Sequence, residues 1–534
     1  MGFRILVVLV AIVLVVALPF ALKPGEDLLG EADETLVIIT PHNEAIRREF
    51  ARAFSRHYRK KTGRTVRIDW RMPGGTSEIS RYLKGEFFAA FANESRLKGR
   101  LWDAVAQASF DNPSVLLPER AEEDTPAQAA RRAFLNSSTG IGIDLFFGGG
   151  AFDFSMQAEA GRLVDSGVLQ RHPDWFDEDS IPQVVSGEIF YDGKGRWVGT
   201  VLSAFGICYN TDVLKRLGFE GEPSSWEDLA NPIFFKEVAL ADPTKSGSAA
   251  KAFEMIIQQQ MQNKVAAGLA REEALRRGWE SGLRIIQRAA ANARYFTDAA
   301  GRVPVDVSQG DSAIGMCIDF FGRYQSESVC GDDGVSRLMY FTPAGGSSVG
   351  VDPIGLLRGA PNPEVANEFI DFVLSVEGQK LWNFRPGSPG GPTQHALRRL
   401  PIRKELYKPE YAKFRTDPEV FPYEEAKLFY YHSDWTGPLF KVISFCVRVM
   451  CLDPHEELVA AWQALIEAGM PDDAEDIFSN FEIISYDRAW NVLRPALASN
   501  NRIDEVRMAK DLGKHFRRQY REVIDILRKR RPAG

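Results

Sequence analysis

Residues 141–156 read IGIDLFFGGGAFDFSM. Ile141, Ile143, Leu145, Phe146 and Phe147 form a short apolar run of the kind that makes a buried strand. Gly148, Gly149 and Gly150 follow at once. Glycines at the carboxyl end of a strand let the backbone turn sharply and let another group approach its N–H donors. In open α/β sheets that edge is where ligands bind. A turn that needs positive φ explains the same glycines equally well. The balance tilts because other strand-to-loop junctions in the chain carry the same small, polar, glycine-containing chemistry.

Working outward, residues 35–39 form a short apolar strand. The following Thr40-Pro41-His42-Asn43-Glu44 opens a helix with a cap residue and an acid in its first turn. Ile46, Phe50, Ala53, Phe54 and Tyr58 give that helix one apolar face, and Gly63 is placed to end it. Residues 65–70 alternate as a second strand. Pro73-Gly74-Gly75-Thr76-Ser77 then begins another helix with Ile79 and Leu83. This β-α-β-α order argues for a parallel sheet. Residues 85–140 interrupt it and read as an insertion, with a helix at 127–135. Two apolar runs, 197–202 and 205–209, are separated by Ser203-Ala204. The strand at 238–241 leads through Asp242-Pro243-Thr244-Lys245-Ser246-Gly247-Ser248 into a long helix. Strands are expected at 303–307 and 314–318, the second running into Asp319-Phe320-Phe321. An amphipathic helix is expected over 362–382. Beyond residue 400 the segments look helical without β-α alternation.

At 534 residues the chain calls for two or more domains. Its net charge of −7 gives no general case for nucleic-acid binding. The last 34 residues run against that sign, with eleven Lys/Arg against five Asp/Glu. This basic helix is either a solvated face, the commoner case, or a contact for anionic lipid or a partner. Residues 5–22 are almost wholly apolar, with Arg4 before them. They read as a secretory signal or an uncleaved membrane anchor, and their length leans to the anchor. Either way the rest of the chain is exported. Export permits disulfides. Cys317 with Cys330 and Cys446 with Cys451 are conceivable pairs, as are buried free thiols. No zinc-type cluster is spaced for a structural metal.

Helix N-termini carry unpaired N–H donors and partial positive charge. The ends at His42-Asn43, at Gly75-Thr76 and at Ser246-Gly247-Ser248, with Gly149, Gly150 and Ser203, would suit an oxygen-rich or anionic ligand if they converge. Lys245 and Arg323, near the third and fourth junctions, are either solvent-facing, the commoner case, or placed to help hold a phosphate or carboxylate. Gly-x-Ser-x-Gly, the P-loop and H-E-x-x-H are all absent from the sequence. Binding without chemistry fits better than catalysis, and no cofactor is called for.

From about residue 35 to residue 392 the chain resembles the extracellular solute-binding proteins of ABC importers. It is most similar to the branch of ferric-iron, phosphosugar and phosphonate binders. The stretches that carry the likeness include DLFFGGGAFDFSMQAEAGRLV, ALADPTKSGSAAKAFEMIIQ, SQGDSAIGMCIDFF and GAPNPEVANEFIDFVLSVEGQKLW, in the family's order. The resemblance implies a two-lobed α/β fold of the type II periplasmic-binding-protein kind, here with a C-terminal helical extension. Residues 1–24 would be the signal or anchor. Residues 33–203 with 346–400 would form lobe 1, 204–345 lobe 2, and 401–534 the extension. The partners implied are a small solute and an ABC permease on the periplasmic or extracellular side, with residues 3–22 as a tether. In iron-binding members a histidine, a glutamate and two adjacent tyrosines hold the metal. His42 matches the histidine. The triple glycine stands where the glutamate loop would be, and Phe320-Phe321 stand where the tyrosines would be. A phenyl ring offers no oxygen to Fe(III), which prefers hard anionic donors. Asp319 is instead suited to ligand hydroxyls, and Phe320 or Phe321 to a sugar-like face, with a plain core role for both phenylalanines an equal alternative. The expectation is therefore a sugar phosphate, phosphonate or carboxylate. A ferric-ion binder using other donors, and an anchored sensor or scaffold, are the alternatives.

Overall fold

The computed structural model describes residues 32–331, 334–498 and 502–530. The apolar N-terminal run expected to be a signal or anchor lies outside them. Two sheets organise the chain. The first has seven strands in the order β14-β7-β13-β3-β1-β2, with β4 paired to β13. Its strands are β1 Glu34–Ile39, β2 Val66–Arg71, β3 Leu145–Phe147, β4 Leu163–Val164, β7 Val198–Ser203, β13 Gly350–Leu357 and β14 Leu400–Pro401. β1 runs parallel to β2 and β3, whereas β13 is antiparallel to β3 and β7. A small hairpin, β5 Val184–Val185 with β6 Glu188–Ile189, stands beside it. The second sheet has the order β10-β9-β11-β8-β12. Its strands are β8 Phe205–Asn210, β9 Val238–Ala241, β10 Ala293–Thr297, β11 Ile314–Ile318 and β12 Leu338–Phe341. The result is a mixed α/β protein of two units, each a sheet covered by helices.

The local signals act as the sequence reading expects in the first unit. Asn43 caps the Glu44–Thr62 helix by accepting from the Ile46 N–H at 3.1 Å, and Gly63 closes it in the left-handed conformation. Phe50 and Phe54 are wholly buried on its inner face. Thr125 and Gln128 form a capping box at the start of the Pro126–Leu135 helix. Two elements differ from expectation. The Thr76–Leu97 helix runs straight through Gly85, because Phe87, Phe91 and Ala92 continue its buried stripe. Gly85 itself faces open space. Residues 303–307 are not a strand but lie within the Arg302–Gln309 helix. Val303 and Val307, four residues apart, are both buried on one face of that helix, and Arg302 pairs with Asp306 across one turn.

The chain passes between the units three times. It crosses first from β7 to β8 at Ala204, and returns between β12 and β13. The Phe205 N–H donates to Ser347 Oγ at 2.9 Å, so the two crossings are bonded together. The third passage follows β14. Ile402 and Ala426 pack in the core of the first unit, whereas Phe429 and Trp435 pack in that of the second. A further bridge lies beside the crossings. Lys251, from the Gly247–Ala266 helix, pairs with Glu188 of β6 at 3.1 Å and with Glu254 at 3.0 Å, and sits 3.6 Å over the Tyr431 ring.

The helices after residue 429 do not stand apart. Leu458, Trp462, Phe478, Phe516 and Tyr520 share one buried cluster with Trp279, Leu283 and Ile286 of the second unit. Trp279 donates to the Ile484 carbonyl at 2.9 Å, and Trp462 to Asn292 Oδ1 at 2.8 Å. The segment Ser433–Leu452 is long and apolar enough to cross a membrane, but 61% of it is buried inside the protein. All five cysteines are free, and Cys208, Cys317, Cys446 and Cys451 are buried. The two conceivable disulfides are thus absent here. Because the C-terminal helices complete the second unit's core, Trp462→Ala should cost about 3–5 kcal/mol. Urea unfolding followed by circular dichroism should show that loss within the second unit's own transition; an unchanged midpoint would mean the helices are separable.

Candidate functional site

At the carboxyl edge of the first sheet, β1 ends at Ile39 and leads through Thr40 to His42, while β3 ends at Phe147, just before Gly148. The glycine run is explained by close approach. A Cβ on Gly148, at φ 90°, would fall 2.5 Å from the His42 ring. One on Gly149, at φ 124°, would fall 2.6 Å from Thr76. So the His42, Gly148–Gly149 and Thr76 turns meet at one place. His42 is buried, edge-on to Phe147 with ring centroids 4.6 Å apart. Burial, aided by Arg399 and then Arg47, holds its imidazole well below the usual histidine range, so it is neutral.

The second unit faces this edge. A Cβ on Gly75 would lie 3.8 Å from the Lys245 carbonyl oxygen, which places the 242–248 turn opposite the Gly75 turn. Ser246 spends its hydroxyl on capping its own helix, accepting from the Ala249 N–H at 3.2 Å. Asn43 likewise is exposed and spent on its cap. Gly247 faces open space, and Gly150, exposed, precedes the Ala151–Ala160 helix. Ser248 is half-buried. The Lys245 ammonium pairs with Asp298 at 2.6 Å.

The centre of the junction is a residue that the sequence reading missed. Arg399 is 0% exposed. Its Nη2 donates to Ser203 Oγ at 2.8 Å and to Asp352 Oδ2 at 2.6 Å. Its Nη1 lies 3.5 Å from His42 Nε2, and its guanidinium sits 4.0 Å over the Phe320 ring. Arg399 Nε and His42 Nδ1 are buried without a hydrogen-bond partner. Arg399 therefore ties His42, Ser203 and Asp352 of the first sheet to Phe320 of the second unit. Phe320 rests on Phe321, ring centroids 4.3 Å apart, and both pack on the second unit's core. Asp319 is buried and bonded to Arg323. Burial works against charge on Arg323, yet Asp319 and Asp417 outweigh it and raise its pKa. Asp417 also pairs with Arg398, the neighbour of Arg399.

The loop carrying Arg399 is pinned by Glu49. This buried carboxylate accepts from the Thr393 N–H at 2.6 Å, the Thr393 hydroxyl at 2.8 Å, and the Gln394 and His395 N–H groups at 2.8 and 3.0 Å. Burial alone would raise its pKa, but these four bonds prevail and lower it from the ordinary value of 4.5. No sequence pattern marks Arg399. Glu49 sits on the buried face of its helix between apolar residues, and that misplaced charge was the available signal.

Among the described residues, no three His, Cys, Asp or Glu side chains are grouped to hold a metal ion. Two cavities of about 480 and 490 Å³ lie elsewhere, one against the Pro126–Leu135 helix and one along the Arg502–Arg530 helix.

Two sheets meeting edge to edge across a polar junction, joined by crossing strands, define a two-lobed binding protein. The chain belongs to the bacterial extracellular solute-binding proteins, whose family matches residues 142–417. Proteins of this kind are binding proteins rather than enzymes; they act on the periplasmic or extracellular side and deliver small solutes to ABC permeases. A Haemophilus influenzae relative described as an uncharacterized protein is 26% identical over 242 residues, covering 45% of this chain and 60% of that protein. The chain thus spans less than two thirds of that curated relative. Among solved structures, the periplasmic binding protein AfuA from Actinobacillus pleuropneumoniae, with exogenous fructose-6-phosphate bound, shares 18% identity at a TM-score of 0.49, over 78% of this chain and 98% of that one. Iron-bound HitA from Pseudomonas aeruginosa shares 16% identity at 0.47, over 77% and 98%. The spermidine/putrescine-binding protein PotD from Streptococcus pneumoniae shares 14% at 0.44, over 77% and 99%. None of these likenesses carries an argument about the solute.

Two outcomes follow from the geometry. Arg399→Met leaves the half-buried Asp352 carboxylate without its partner and should cost about 3 kcal/mol at neutral pH. Burial already raises the Asp352 pKa against the pull of Arg399. Its stabilising share is present below the ordinary carboxylate range and lost as pH rises through its folded pKa. The Arg399→Met deficit, measured by urea titration, should therefore shrink from pH 7 towards pH 4. Glu49→Gln should follow the same trend although the underlying pKa shift is opposite. Because its folded pKa is lowered, the Glu49 contribution holds above about pH 4.5 and fades as pH falls. The variant should lose about 1–3 kcal/mol at pH 7 and converge on the parent in acid.

Proposed function

We propose that the protein captures a small oxygen-rich anion, a sugar phosphate, phosphonate or carboxylate, between its two units. The observation that carries this reading is Arg399: a buried guanidinium at the junction of both sheets, with one N–H donor left over. Such a donor favours an anionic oxygen, which adds to or displaces the Asp352 carboxylate. His42 is neutral, so it adds a hydrogen-bonding nitrogen without a second charge. Ser203 supplies a hydroxyl, and Phe320 an apolar floor for a carbon face. Gly75, Thr76, Gly149 and Gly150 on one side, and Ser246, Gly247 and Ser248 on the other, form the rim. Asp319 and Arg323 fix Phe320 from behind. On this reading 33–203 with 346–400 form one lobe and 204–345 the other. The segment from Ile402 to Ala426 adds to the first, the helices after residue 429 complete the second, and residues 3–22 tether the protein beside its permease. Closure is driven by contacts that the solute makes to both lobes. The chemistry disfavours Fe(III), because Phe320 and Phe321 offer no oxygen donors.

Isothermal titration against sugar phosphates, phosphonates, di- and tricarboxylates and ferric citrate tests the reading. At least one organic anion should bind, and Arg399→Lys should weaken it at least tenfold, since an ammonium cannot reproduce the planar fork. Silence across the organic anions, with ferric iron bound tightly, overturns the proposal.

A further inference from the structure

The Arg502–Arg530 helix is built from two opposed stripes. Ala509, Leu512, Phe516, Tyr520, Val523 and Leu527 are buried against the second unit. On the outer side the exposed residues Lys510, Lys514, Arg518, Arg521, Arg528 and Lys529 recur at helical spacing. From Lys510 to Lys529 this row is roughly 28 Å long. Asp511, Glu522 and Asp525 share the outer surface, but cations prevail. The helix carries ten Lys/Arg against five Asp/Glu in a chain of net charge −7. Of the acids packed against it from other elements, Glu457 takes one member of the row, Arg521, at 2.7 Å, and also Arg517 at 3.8 Å, and Asp473 takes Arg530; Lys510, Lys514, Arg518, Arg528 and Lys529 remain in the row. A shallow concavity of about 490 Å³ opens between Lys514, Arg518, Asp525 and Lys529.

We infer that this row is a docking surface for an anionic phospholipid membrane. The apolar stripe is already committed to the protein core, so the helix has no face with which to insert. What it offers is a straight, exposed, cationic edge, and the complement of such an edge is an extended surface of negative charge. Juxtamembrane basic residues are attracted to anionic headgroups, and the attraction fades beyond a Debye length. The family's place of action, next to a permease, puts such a surface within reach. The contact would turn the second unit's outer helix towards the bilayer. This inference stands independently of which solute is bound.

The test is flotation of the full chain with vesicles of phosphatidylcholine, alone or with 30 mol% phosphatidylglycerol. Binding through residues 5–22 would not distinguish the two lipids. Anionic vesicles should retain at least tenfold more protein at 50 mM salt, and the excess should vanish at 500 mM. Lys514→Glu/Arg518→Glu/Lys529→Glu should abolish the excess. Lys60→Glu/Lys84→Glu/Lys215→Glu, which changes net charge equally, should keep it. Equal retention on both lipids, or equal loss in both triple variants, overturns the inference. An unchanged excess in the first variant does so too. Retention by a soluble acidic protein but not by anionic vesicles would assign the row to a protein partner instead.

Discussion

A guanidinium with no access to solvent holds the centre of this molecule. Moving a charge out of water is expensive, and it is tolerated where the charge is paired and its donors are occupied. Arg399 meets the first condition through Asp352 and the second only in part, since its Nε is left over. Around it the other features make sense as support. His42 is neutral chiefly because it is buried, and the charge of Arg399 beside it adds to the effect. Gly148 and Gly149 lack side chains because the His42 ring and Thr76 fill that space. Glu49 gathers four donors from the loop that presents Arg399.

The two units are unequal in how they support this centre. The first contributes the polar partners from strand ends, namely His42, Ser203 and Asp352. The second contributes a flat ring, Phe320, at the start of the Asp319–Ser328 helix, steadied from behind by the Asp319–Arg323 pair. A cation resting on an aromatic face is attracted without a counter-charge. The neighbouring Arg398 adds directional contacts to the same helix, donating to the Arg323 carbonyl at 3.1 Å and pairing with Glu327 at 3.3 Å.

Much of this was legible in the sequence. Strand-turn-helix units announced the first sheet, and the triple glycine marked the edge where its turns meet. Local patterns could not show how side-chain oxygens are allocated. Asn43 and Ser246 looked available, yet their own helices claim them. The 303–307 run was short enough to suit a strand, but spacing of four between Val303 and Val307 served a helix. Arg399 escaped notice because its meaning lies in contacts 47, 196 and 357 residues away along the chain. The helical tail looked like an addition, because periodicity tells that a face is buried and not against what.

One bridge between the units has a cost attached. Lys251 lies beneath Tyr431, with one carboxylate from its own helix and one, Glu188, from the opposite unit. Drawing the units apart would leave the ammonium beside a single acid and uncover it to water. The two units are thereby latched together at this seam, and separating them costs a buried ion pair.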